Sequence, residues 1–139
     1  MLTGIQRRIY TDASKFKHSG AIGFIYSDKK ITTFSGYKFS ENIPVYKLEE
    51  LAIILADQYR KNLDYADSIP ILSDSETAIT LLNSKINNIK KIKSHSRVLG
   101  NEMADLLCKY YNANRTSFQI DDFIIIIHNS PESDKCQIR

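Results

Sequence analysis

Apolar positions in the first forty residues come in short bursts separated by polar or glycine-containing stretches. RRIYTD, residues 7 to 12, predicts a strand that closes on a carboxylate, and ASKFKHSG a polar turn with Gly20 at its end. AIGFIYSD, residues 21 to 28, predicts a second strand and ITTFSGYKF, residues 31 to 39, a third. Asp28, Lys29 and Lys30 connect them tightly, so the opening third predicts an antiparallel meander.

The period then lengthens. From Leu48 to about Arg60 the positions Leu48, Leu51, Ala52, Leu55, Ala56 and Tyr59 recur at intervals of three and four, the mark of a helix with one buried stripe. SIPILSDS brings back a strand at about Ile69 to Ser73, and Ala78, Ile79 and Leu82 form the stripe of a short helix over 76 to 82. NNIKKIK, with Ile89 and Ile92, predicts a brief strand, and 101 to 111 a final helix with Met103, Ala104, Leu107 and Cys108 inward. Three strands, helix, strand, helix, strand, helix describe an α/β layout, a mixed sheet with helices on its faces. FQIDDFIIIIHN fits an edge strand or a short helix, because a short apolar run suits both, and 131 to 139 reads as irregular.

Composition changes this picture little. With 139 residues, 42% of them hydrophobic, and no repeat or linker, the chain suits a single domain. The N-terminus lacks the apolar stretch of a signal peptide, and Phe123 to Ile127 is far short of the ~20 residues needed to span a bilayer. Cys108 and Cys136 form neither a disulfide framework nor a zinc motif, which favours a reducing, intracellular setting and no membrane. The formal charge of +3 excludes little, but its distribution is informative. Lys85, Lys90, Lys91, Lys93 and Arg97 fall in a stretch without any acid, suited to a polyanion or simply to solvent.

The candidate chemistry lies in four acids. Asp12 and Asp74 are placed at strand ends, where ligand sites of open α/β sheets gather; alone, Asp12 would suit a turn and Asp74 a helix cap. Glu49 shares a helix face with Ala52 and Ala56, and Asp105 follows Met103 and Ala104, with Lys109 four residues on as a surface partner. A carboxylate near a buried stripe is costly unless it is paired or bound to metal. Without soft ligands, an oxygen-rich set suits Mg²⁺ or Mn²⁺. Two such ions about 3.5–4 Å apart activate water and stabilise a leaving oxygen in phosphodiester hydrolysis.

YTDAS, KLEELAIILA, ILSDSETAI and SHSRVLGNEMAD, in this order and spacing, resemble ribonuclease H over about residues 7 to 112, leaving a C-terminal extension at 113 to 139. The nearest likeness is to the type-1 ribonuclease H domains of retroelement reverse transcriptases. The resemblance implies a five-stranded mixed sheet, its first three strands antiparallel, flanked by helices. It also implies endonucleolytic cleavage of the RNA strand of RNA–DNA hybrids, leaving a 3′-hydroxyl and a 5′-phosphate. Two Mg²⁺ ions, replaceable by Mn²⁺, would be held by Asp12, Glu49, Asp74 and Asp105, with Asp12 bridging and Glu49 rather than Glu50 in register. His95 matches the family's mobile-loop histidine, an accessory to proton handling or product release. Lys90, Lys91, Lys93 and Arg97 would meet phosphates, and Ser14 with the amides near Ala13 the RNA strand. Val45 and Tyr46 stand where many members carry asparagines, and Glu76 where many carry glutamine, so groove hydrogen bonds are lost. The long basic protrusion of some members is missing, which points to an attached or separate polymerase as partner. Two other readings remain: a silent hybrid-binding domain that supports a polymerase, and a related nuclease acting on another substrate.

Overall fold

The computed structural model describes residues 7–28, 32–92, 117–118 and 135–138. The first three strands, β1 (Arg8–Phe16), β2 (Ser19–Ser27) and β3 (Thr32–Phe39), form the expected antiparallel meander. Helix α1 (Val45–Arg60) crosses over it to β4 (Ile71–Ser73), and α2 (Glu76–Leu82) leads to β5 (Ile89–Lys91). β4 pairs parallel with both β1 and β5, so five strands run in the order β5-β4-β1-β2-β3. This is a mixed α/β sheet flanked by helices.

Several boundaries differ from the sequence reading. β1 does not end at Asp12. It stays paired with β2 as far as Phe16↔Ser19, and the turn shrinks to Lys17 and His18, with Lys17 in the left-handed region at φ 50. Residues 13 to 16 resemble a polar turn because lysine and serine dilute the alternation, but their ladder bonds to β2 decide the conformation. Helix α1 starts three residues earlier than expected, immediately after Pro44, whose carbonyl accepts from the Lys47 and Leu48 amides at 3.0 and 3.1 Å. Its first turn is exposed and therefore lies outside the apolar stripe. The strand predicted from Ile69 is confined to Ile71–Ser73. The C-terminal part adds two short strands, the first at the start of the segment that suits an edge strand or a short helix and the second where irregular chain was expected. β6 (Ser117–Phe118) pairs parallel with Lys38 and Phe39, and β7 (Lys135–Ile138) pairs antiparallel with Thr32 to Ser35. Both lie along β3, whose other side is taken by β2. The predicted helix over 101 to 111 and most of FQIDDFIIIIHN lie outside the described residues.

One core joins the sheet to its helices. Ile9, Ile22, Phe24, Tyr37 and Phe39 meet Leu48, Ala52, Ile53 and Ala56 of α1 and Ala78 and Leu82 of α2, all buried. The close approach of α1 depends on Gly20. A Cβ built there would lie 2.6 Å from Leu48 Cδ1, so an alanine fits only if the leucine moves. At its other end α1 is fastened by Arg60, 1% exposed. Its guanidinium donates to Asp57 Oδ1 (2.9 Å), Ile69 O (2.8 Å), and Asn87 O (2.8 Å) and Oδ1 (3.0 Å). A charge this deeply buried persists because its donors are occupied. Among the described residues no helix is long and apolar enough to cross a membrane.

Candidate metal centre

The parallel pairing of β1 with β4 sets the site. Ile9 is opposite Ile71 and Tyr10 opposite Leu72; the same offset carried two residues further sets Asp12 level with Asp74. Thr11 strengthens this junction by donating its hydroxyl to Leu72 O at 3.0 Å. β4 ends at Ser73, so Asp74 leaves the sheet at the point where β1 continues without it. Local chemistry releases Asp74 from the capping role that its position before a helix suggests. Ser75 is the N-cap of α2 and accepts from the Ala78 amide at 3.2 Å, while the Ser75 amide donates to Ser73 Oγ at 3.1 Å.

Glu49 arrives from the first turns of α1. It is 7% exposed, as is Asp12. Glu50, its neighbour, turns to an ion pair with Lys47 at 2.8 Å. One carboxylate oxygen from each of Asp12, Glu49 and Asp74 lies within 4.8 Å of the others. Three like charges at this separation, two of them largely withdrawn from water, repel unless a cation or a proton compensates them. An all-oxygen donor set without cysteine or histidine suits a hard divalent cation. The three side chains therefore fit a divalent metal ion.

The other predicted positions divide into those the structure places and those it does not. Asp105, His95, Lys93 and Arg97 lie outside the described residues. Lys90 and Lys91 are exposed on β5, next to β4. Ala13 and Ser14 are half-buried on the part of β1 that continues beyond the junction. Val45 and Tyr46, 48% and 49% exposed, make the first turn of α1 one turn before Glu49. Glu76 is exposed in the first turn of α2, where its charge complements the helix dipole. Lys15, Lys17 and His18 belong to no motif that singles them out in the sequence. They are exposed on the β1–β2 hairpin, and their absence from the candidate set follows from taking residues 13 to 20 as a turn.

Comparison with known proteins separates fold from family. No family model and no curated protein sequence matches the chain. Among solved structures, one match is the RNase H1 of the halophilic archaeon Halobacterium salinarum NRC-1, with a TM-score of 0.57 at 17% identity. The alignment covers 76% of this chain and 96% of that one, so nearly the whole of the archaeal enzyme is spanned. Sequence this divergent speaks for architecture alone. With its meander, its β5-β4-β1-β2-β3 order and its flanking helices, the chain has the RNase H-like fold, and it carries a candidate acidic metal centre at the β1–β4 junction.

Proposed function

We propose that this chain is a metal-dependent nuclease that hydrolyses the RNA strand of RNA–DNA hybrids, leaving a 3′-hydroxyl and a 5′-phosphate. The observation that carries the proposal is the convergence of Asp12, Glu49 and Asp74 within 4.8 Å in an RNase H-like fold. Two divalent cations bound there would supply Lewis-acid stabilisation and a water made nucleophilic at neutral pH. Asp12, Glu49 and Asp74 would hold the metal, and Asp105 would supply a fourth carboxylate.

The chain's own residues make the remaining contributions. Asp12 is fixed by strand pairing and Glu49 by a helix anchored in the core, so the oxygens are positioned before ligand arrives. Burial of Asp12 and Glu49 limits competition from bulk water. Lys90 and Lys91 meet backbone phosphates, a contact without sequence preference that weakens with salt. Ser14 lies two residues beyond Asp12, on the same side of the strand, and offers its hydroxyl to a ribose 2′-hydroxyl, the group that distinguishes RNA from DNA. His95 assists proton handling or product release. A polymerase, attached or separate, supplies hybrid affinity that the exposed Val45 and Tyr46 do not provide through hydrogen bonds.

The test is cleavage of an end-labelled RNA–DNA hybrid with Mg²⁺ or Mn²⁺, beside duplex RNA and duplex DNA. Hybrid-selective cleavage that disappears in Asp12→Asn and in Asp74→Asn is expected, while His95→Ala slows turnover without abolishing it. Metal binding has its own readout: Mg²⁺ at tenfold over its Kd should stabilise the wild type by about 1.4 kcal/mol in thermal unfolding, and Asp74→Asn should lose most of that gain. Robust cleavage surviving both aspartate substitutions would sink the mechanism. Hybrid binding without cleavage by the wild type would identify a silent domain instead.

A further inference from the structure

We infer that the β1–β2 hairpin is a phosphate-tracking arm, in which Lys15 and Lys17 guide the nucleic-acid backbone away from the acidic centre. The inference rests on the nuclease reading for the identity of the polyanion. Three observations support it. First, β1 and β2 stay paired to Phe16↔Ser19, whereas the pairing of β1 with β4 covers only Ile9 and Tyr10, so among the described residues the hairpin continues past the centre without a strand on that side. Second, that side presents hydrogen-bond donors. The Ile9 amide donates to Pro70 O at 3.0 Å, on the β4 side, and successive amides of a strand point to opposite edges. The amides of Ala13 and Lys15 therefore face the edge that β4 has left.

Third, the only formal charges on the arm are positive. Residues 13 to 27 contain no aspartate or glutamate, while Lys15 and Lys17 are exposed. Backbone amides combined with lysines are the donors phosphate oxygens take up. Lysines on an open strand edge also discourage pairing with other chains, and the following measurement separates the two roles.

The whole chain is titrated against a fluorescein-labelled RNA–DNA hybrid by anisotropy over a KCl series, with Ca²⁺ replacing Mg²⁺. Each lysine–phosphate contact contributes about 0.9 to the slope of log affinity against log salt, so Lys15→Gln/Lys17→Gln should lower the slope by about one to two and weaken binding on the order of tenfold. Lys15→Arg/Lys17→Arg should retain the wild-type slope. Lys61→Gln, beyond the opposite end of α1 from Glu49, should leave it unchanged. An unaltered slope in the double glutamine variant, with wild-type binding and cleavage intact, overturns the arm and spares the nuclease reading. An equal fall in Lys61→Gln reduces the effect to net charge and also overturns the arm. Absence of hybrid binding by the wild type overturns both. Because both lysines are exposed, unchanged circular dichroism and unfolding midpoints are expected in all variants.

Discussion

Gly20→Ala tests how closely α1 must approach the sheet. The added Cβ would meet Leu48 Cδ1 at 2.6 Å, Cδ2 at 3.0 Å and Cγ at 3.4 Å. The first distance is below any relaxed contact, and Leu48 is fully buried, so its side chain cannot swing into solvent. Overpacking of this kind costs about 1–3 kcal/mol. Alanine in a strand recovers about 0.5–1 kcal/mol of backbone entropy relative to glycine, and the φ of Gly20 lies outside the left-handed region, so the gain is real. The net expectation is a loss of about 1 kcal/mol, which moves a urea midpoint down by about 0.5 M for an m-value near 2 kcal/mol/M. Leu48→Val removes both δ-carbons. In that background the clash is gone and Gly20→Ala should stabilise by about 0.5–1 kcal/mol. The coupling energy from the double-mutant cycle then equals the overpacking cost, about 1–3 kcal/mol. Equal costs in the two backgrounds, or stabilisation of the wild type by alanine, would refute the reasoning. Leu48 precedes Glu49, so the single variant should also weaken the Mg²⁺-dependent gain in stability.

Three other expectations follow from the packing. Arg60→Ala strands Asp57 and the carbonyls of Ile69 and Asn87 and should cost about 3–5 kcal/mol in chemical denaturation; a loss below 1 kcal/mol would show that Lys61, 3.5 Å from Asp57, substitutes for it. Ser75→Ala removes the cap of α2 and should cost about 1 kcal/mol; no change in midpoint would mean that Asp74 takes over the Ala78 amide. Burial pushes the Tyr26 phenol above its ordinary 10.0, against an opposing hydrogen bond from Arg7. The folded chain therefore keeps a proton the unfolded chain releases, and the stability this confers is full below pH 10 and lost as pH rises through the folded value. Tyr26→Phe should flatten this alkaline fall in urea midpoints, and an unchanged slope between pH 9 and 11 would contradict it.

Much of this architecture is legible in local pattern. The three-and-four spacing of Leu48, Leu51, Ala52, Leu55 and Ala56 gives the buried side of α1, and with it the inward lean of Glu49 over Glu50. ILSDS gives a strand that ends beside an aspartate. The remaining features depend on contacts distant in sequence. β6 and β7 are two and four residues long and exist through pairing with β3, some eighty to a hundred positions earlier. Arg60 at a helix end suggests a solvated cation, and its burial is explained by Asp57 together with the distant acceptors of Ile69 and Asn87. The separation of Asp12, Glu49 and Asp74 follows from strand register and helix docking together, neither of which a linear pattern encodes. The hairpin beyond Asp12 was obscured because its lysines suit a turn as well as an edge strand.

The anchoring of α1 has a mechanical consequence. Arg60 lies eleven residues from Glu49, about 16 Å along the axis at ~1.5 Å per residue. The helix is thus a lever with its fulcrum at the guanidinium and its working end at a carboxylate. A tilt of about 4° at the fulcrum displaces the working end by about 1 Å, enough to spoil a constellation that tolerates about 0.5 Å. Substitutions around Asp57, Ile69 or Asn87 can therefore detune the acidic centre without touching any group near it.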